Sequence, residues 1–179
     1  MLTLTVLLLL VLGTAQAQMN KTCCPPEFSA LGYSFLLDAM YDYYHDSKTG
    51  DSLSADIHGK LMILRENKSG RLYTRLLSDN NCTYQEFPEL VGMDTCIHSN
   101  MTFEGAVMLD GKEYYEWHEH NSLYTLHSTI LVDDDCVTKI LNTKVHGSPV
   151  ISSVYFNPVP HANVSIVASF DKTGCVKAM

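Results

Sequence analysis

Basic side chains are scarce in this sequence: 12 Lys and Arg stand against 20 Asp and Glu, for a formal charge of −8. The positive residues are scattered, as Lys60, Arg65, Lys68, Arg71, Arg75, Lys139 and Lys144. A chain with no basic stripe has nothing to neutralise a phosphate backbone, so nucleic acid is not an expected partner. Long apolar runs are also missing. The longest stretch is Leu4 to Leu12, well short of the roughly 20 residues a spanning helix needs. No transmembrane segment is expected. No G-x-S-x-G elbow and no glycine-rich phosphate loop occur, which removes two common routes to catalysis. No C-x-x-C repeat occurs either, so the cysteines are poor zinc ligands on spacing. Internal repeats, low-complexity tracts and linkers are absent.

What is present points outside the cell. MLTLTVLLLLVLGTAQA, residues 1–17, has the apolar h-region and the A-x-A end of a secretory signal, and the mature chain is expected to start at Gln18. Residues 18–179 are then enough for one domain with one substantial core. The six cysteines, Cys23, Cys24, Cys82, Cys96, Cys136 and Cys175, are an even set behind a signal, which reads as three disulfides. Fifteen pairings exist for six cysteines. A vicinal Cys23–Cys24 bond would be strained, and setting it aside leaves twelve. Five N-x-S/T sequons, at Asn20, Asn67, Asn81, Asn100 and Asn163, are expected to carry glycans at the surface. Asn81 is the doubtful one, because Cys82 stands inside its sequon.

The patterning predicts many strands joined by short turns. Asn67-Lys68-Ser69-Gly70 separates KLMILRE from RLYTRLL, and Asp110-Gly111 separates TFEGAVML from KEYYEWHE. Both read as hairpins, the second because both central positions of a type I′ turn need φ > 0. LYTLHSTILV, CVTKIL, VHGSPVISSVYF and NVSIVASF follow as further strands. Pro149, Pro158 and Pro160 predict a bent or interrupted strand. Residues 27–40 suit helix or strand equally. Alternation places Phe103, Val107 and Leu109 on one side, then Tyr115 with Trp117, then Tyr124, Leu126, Ile130 and Val132. In 163–170, Val164, Ile166, Ala168 and Phe170 share a side, and Asn163 falls opposite.

EYYEWHEH, residues 113–120, is the stretch that most resembles chemistry. His118 and His120 share a strand face, roughly 6.6 Å apart, beside Glu116 and Glu119, with His127 seven residues on. Two such imidazoles can share a zinc ion. All three histidines fall on the polar faces of their strands, however, and are read as surface residues. A zinc hydrolase is therefore the third-ranked reading. Asp133-Asp134-Asp135 offers oxygen ligands for a hard cation, with a solvated acidic turn as the simpler account. Met62, Met93, Met101 and Met108 are read as ordinary core packing, the alternative being an adaptable apolar surface.

The order of features is itself informative. Cys-Cys-Pro-Pro follows the signal, then YDYYHDSKTG, then RLYTRLLSDNNCTYQEF, then EWHEHNSLYTLHSTILVDDDCVTKI, and VYFNPVPHANVSIVASFDKTGC closes the chain. This order resembles the ependymin-related family of secreted glycoproteins over nearly the whole mature chain. The resemblance implies a mainly β fold: a strongly curved antiparallel sheet forming a half-open barrel, like that of bacterial lipoprotein carriers, with few helices. It also implies disulfides, calcium association, frequent dimers, an apolar pocket for lipids and links to cell–matrix adhesion. On the family pattern Cys23 or Cys24 joins Cys136, Cys96 joins Cys175, and Cys82 takes the remaining member of the vicinal pair. The doubled N-terminal cysteine departs from that pattern. Calcium association makes Asp133, Asp134 and Asp135 candidate ligands.

The leading expectation is a secreted, non-enzymatic glycoprotein that binds a hydrophobic small molecule or lipid. No organic cofactor is expected. The pocket lining is expected from the apolar faces: Phe103, Val107, Leu109, Tyr115, Trp117, Tyr124, Leu126, Ile130, Ile166 and Phe170. The alternative is an extracellular structural or matrix-adhesive protein in which these residues form a solid core; the resemblance makes a homodimer a candidate assembly for either, with the oligomeric state left open by the sequence.

Overall fold

The computed structural model describes residues 23–91, 96–97, 101–121 and 126–178. Residues 1–17, Asn20, Asn100, Met93 and Tyr124 lie outside that set, so the expectations placed on them meet no structure.

Among the described residues, twelve strands build one sheet. The first meander is β1 (Phe28–Ser34), β2 (Ala39–His45), β3 (Ser52–Asp56), β4 (Leu61–Glu66), β5 (Arg71–Leu76) and β6 (Cys82–Glu86). A short 3₁₀ turn, Pro88–Leu90, follows. The second meander is β7 (Thr102–Leu109), β8 (Lys112–Asn121), β9 (Leu126–Val132), β10 (Thr138–Val145) and β11 (Ser148–Pro160). A single-turn helix α1 (Ser165–Ala168) and a two-residue strand β12 (Val176–Lys177) complete the described chain. The spatial order is β12-β6-β5-β4-β3-β2-β1-β11-β10-β9-β8-β7. The antiparallel β1–β11 pair joins the two meanders, and the sheet does not close on itself. The fold is therefore mainly β, with one large antiparallel sheet and few helices, as expected. Among the described strands only β12 on β6 runs parallel.

Local chemistry explains the connections. At the β7–β8 turn, Asp110 and Gly111 have φ of 53° and 76°, the left-handed pair that a two-residue hairpin turn demands. His146 and Gly147 do the same between β10 and β11 (50° and 79°). The second of these is harder to read from sequence, because His is an unusual first residue there. Residues 27–40 are strand, turn and strand. The proline-rich strand is bent, not interrupted. β11 is continuous over 13 residues, and its register shifts once against β10 near Pro149 and once against β1 near Pro158. Further shifts occur between β9 and β10 and between β7 and β8. Bulges add local twist, and all four fall in the half of the sheet containing β1 and β7–β11.

One segment corrects the sequence reading. Residues 163–170 are not a strand. The side chain of Asn163 accepts the N–H of Ser165 at 3.1 Å, at the first residue of α1. Val164, Val167 and Phe170 are buried at a spacing of three, while Ser165 and Ala168 are exposed. The apolar residues satisfy both periods over so short a run, and tertiary packing chose the helical one.

Both faces of the sheet are used. On one face Leu53, Leu64 and Tyr73 form a core with Val164, Val167 and Phe170, joined by Tyr44, Met62, Tyr84 and Ile166. The C-terminal segment thus covers β3, β4 and β5. On the other face Phe28, Tyr41, Tyr43, Trp117, Ile130, Val132, Leu141 and Tyr155 form a second core, capped by Ile97, Met101 and Val137. Met62 and Met101 pack as expected, whereas Met108 is exposed.

Three bridges hold these layers: Cys23–Cys136, Cys24–Cys96 and Cys82–Cys175, with Cα atoms 5.7, 4.0 and 4.4 Å apart. The first agrees with the family pattern and the other two correct it. The reason is local. Cys23 pairs with Ile97 through two backbone hydrogen bonds, which sets Cys24 beside Cys96. Strand β12 pairs Val176 with Thr83, which sets Cys175 beside Cys82.

Candidate functional site

The face that bears Trp117 and Ile130 is packed solid in one half only. In the other half, strands β2 to β5 and β11 turn their side chains into a cavity of about 570 Å³. Alternation decides what reaches it. From β3 come Ser52, Ser54 and Asp56, from β4 Leu61, Ile63 and Arg65, and from β5 Leu72 and Thr74. Their neighbours Leu53, Leu64 and Tyr73 point to the opposite core. Tyr41 and Tyr43 of β2 and Tyr155 of β11 form an aromatic wall, with Tyr43 and Tyr155 centroids 4.4 Å apart. Ser34, Ser152, Ser153 and Ile151 complete that side.

The wall depends on Gly32. A Cβ there would stand 2.5 Å from the Tyr41 ring, so the ring lies directly over the β1 backbone. Burial pushes the Tyr41 hydroxyl up to about 12, against hydrogen bonds to Ser153 and Tyr155 that pull it down. Burial also raises Tyr155 well above an ordinary phenol, with Arg65 acting in the opposite direction. Both phenols are neutral at any physiological pH. Arg65 is buried, and its Nη2 donates to the Gly50 carbonyl at 2.9 Å.

The cavity has two unlike ends. At one end stand Leu36 and Leu37 of the β1–β2 turn and His58 and Lys60 of the β3–β4 turn, all exposed. Phe35 and Ile57 lie exposed beside them. At the other end Arg65, Ser52, Tyr43 and Tyr155 are all buried.

Of the ten residues expected to line a pocket, the eight whose side chains are described do not line this one. Trp117 and Ile130 lie in the solid half, with Phe103 and Tyr115 packed against it. Trp117 packs at a tilt against Phe103 with centroids 5.2 Å apart. Ile166 and Phe170 belong to the opposite face. Val107 and Leu109 are half-buried on the edge strand β7. Tyr124 and the side chain of Leu126 lie outside the described set. The missed signal was the row of small hydroxyl residues at inward positions, Ser52, Ser54, Thr74 and Ser153, which leave space where large residues would fill it.

The histidines occupy the polar face as expected. His118 Nε2 lies 2.9 Å from Glu116 Oε1, and His120 Nδ1 lies 3.2 Å from His127 Nδ1 across the β8–β9 pair. Among the described residues no group of three or more His, Cys, Asp or Glu converges on a metal position. Asp133 is occupied structurally. It is 5% exposed. Its Oδ1 accepts the N–H groups of Asp135 and Val137 at 3.1 and 2.9 Å, and its Oδ2 accepts Lys112 Nζ at 2.6 Å. Exposed Asp134 accepts the Tyr115 hydroxyl. The Asp133 contacts fix the turn that presents Cys136, at φ 66°, to Cys23. Asp133→Ala should cost about 2 kcal/mol of stability, because a buried N–H loses its acceptor. Asp133→Asn, which keeps the Oδ1 acceptor, should cost less. Urea denaturation of both variants checks the order.

Among the sequons, Asn81 and Asn163 are exposed. Asn67 is half-buried and donates from Nδ2 to the Thr49 carbonyl.

The fold and cavity define an open antiparallel sheet that covers one apolar space. Comparison adds only the fold. An uncharacterized conserved protein from Thermus thermophilus superposes with a TM-score of 0.51 at 9% identity, covering 86% of this chain and 91% of that one. No family model matches the chain, and no curated protein matches it.

Proposed function

We propose that this protein is a secreted, non-enzymatic carrier that holds a hydrophobic, lipid-like ligand in the cavity between β2–β5 and β11. The observation that carries this reading is the cavity itself, whose volume of about 570 Å³ lies within the usual range for small-ligand sites, roughly 300–1,000 Å³. Its lining is mostly apolar or small and hydroxylated, with few charged groups. The motif order that resembles ependymin-related glycoproteins supports the same reading. Among the described residues no helix is long and apolar enough to cross a membrane. Three bridges and no free cysteine suit an oxidising compartment.

Organic extraction of natively purified protein, followed by mass spectrometry, tests the proposal. A single-chain or small apolar compound recovered at near one per protein is the expected result. Displacement of a neutral apolar dye gives a second readout. Trp117 fluorescence is a poor reporter, because that side chain lies outside the cavity. Extracts without lipid and a dye that never binds would leave the structural or adhesive reading in its place.

A further inference from the structure

Independently of the carrier reading, we infer that His120 and His127 form a two-imidazole site for a borderline divalent transition ion, and that Cu²⁺ is the ion it holds most tightly.

The β8–β9 register carries the inference. His120 and His127 stand directly opposite each other on adjacent antiparallel strands, and both are exposed. Their Nδ1 atoms lie 3.2 Å apart and their ring centroids 4.3 Å apart, so the rings lean together at their Nδ1 edges. Two nitrogens on one tetrahedral ion stand about 3.3 Å apart at ordinary bond lengths. Two adjacent nitrogens on a square-planar ion stand about 2.9 Å apart. The observed spacing falls between these values, so neither strand has to move for the pair to close on one ion. The same contact is that of a hydrogen bond, in which one Nδ1–H donates to the other ring. An ion takes the place of that shared proton once the donor ring carries its proton on Nε2, the other tautomer of a neutral imidazole.

The surroundings decide which ion and which histidines. Strand spacing alone pairs His118 with His120, but His118 Nε2 is turned to Glu116 Oε1 at 2.9 Å, and His118 faces Thr129 across β9. Imidazole nitrogen suits copper, zinc and nickel, whereas calcium and magnesium take oxygen ligands. Among the divalent ions affinity peaks at copper. Lys144 stands across from His127 on β10 and opposes a cation, but it is exposed, where salt screens it. The formal charge of −8 favours cations near the surface. Among the described residues β8 and β9 give no side chain to the cavity lining, so an ion held here leaves the cavity as it is.

The test titrates Cu²⁺ into the full-length, disulfide-bonded protein, with binding read by calorimetry and the ligand atoms by electron paramagnetic resonance. The expected result is one tightly held ion per chain with the hyperfine pattern of two nitrogens. His120→Ala and His127→Ala should each weaken binding about a hundredfold, because a second ligand fixed on the same scaffold acts at high effective concentration. Each should leave a one-nitrogen spectrum. His118→Ala should bind as the wild type does, and a large excess of Ca²⁺ should not displace the ion. Circular dichroism checks that the three variants keep the sheet. Wild-type affinity in both His120→Ala and His127→Ala would place the ion elsewhere and overturn the inference. A loss in His118→Ala equal to that in His127→Ala would overturn the pair. Displacement by Ca²⁺ would overturn the nitrogen ligands.

Discussion

Replacing Cys82 and Cys175 together by serine should lower the unfolding free energy by about 4 kcal/mol. The bridge closes a sequence separation of 93 residues, and the chain-entropy account gives nearly 5 kcal/mol for a loop of that size, toward the upper end of measured values. Little else could replace it. Strand β12 contributes two residue pairs. Lys177–Glu86 and Lys172–Glu66 are ion pairs of exposed lysines, a kind that contributes about 0–1 kcal/mol each. Arg75 is the remaining clasp: buried, it donates to the carbonyls of Asp171 and Thr173. Behind this latch, α1 and Phe170 cover Leu53, Leu64 and Tyr73. Loosening the C-terminal segment therefore exposes a core as well as a tail. Urea denaturation under non-reducing conditions measures the change, with Lys177→Ala as a control expected within about 1 kcal/mol of wild type. A double-serine variant as stable as that control would show that Arg75 and α1 suffice.

The bridges mark where sequence reading reached its limit. Hairpins at Asn67–Gly70 and Asp110–Gly111 were legible because the turn residues state their own backbone angles. Strand faces were legible because alternation is local. Which cysteines meet depends on two weak, distant pairings, Cys23 with Ile97 and Val176 with Thr83, and no local pattern announces them. The cavity was hidden for a related reason. Phe103, Trp117 and Ile130 do lie on the inward face, as alternation implies, and they pair across β7, β8 and β9. What alternation cannot state is which half of that face the chain then covers. Ile97, Met101 and Val137 fill the half that holds the large residues. The half with serines, threonine and one arginine stays open. Helix α1 was misread because the five apolar residues in 163–170 fit either period.

The second large effect is expected from filling that open half. On the carrier reading, Ser54→Trp should weaken ligand binding strongly while leaving the fold intact. Ser54 sits mid-strand in β3, half-buried, paired with Tyr43 on one side and Ile63 on the other. Its side chain lines the cavity between the buried and open ends. An indole placed there takes the space of several methylenes of any acyl chain. Each methylene kept out of an apolar site forfeits about 0.8 kcal/mol, so excluding four weakens binding by about 3 kcal/mol, roughly a hundredfold. The stability cost should stay near 1 kcal/mol, because the ring enters existing space and displaces no packed neighbour, unlike a side chain forced into a close-packed core. Gly32→Ala offers the contrast. Its methyl group would strike the Tyr41 ring and should cost about 1–3 kcal/mol of stability as an overpacked site. Dye displacement and urea denaturation on both variants separate the two effects. Wild-type affinity in a folded Ser54→Trp protein would place the ligand elsewhere, because an indole rooted at Ser54 stands in the middle of the cavity lining.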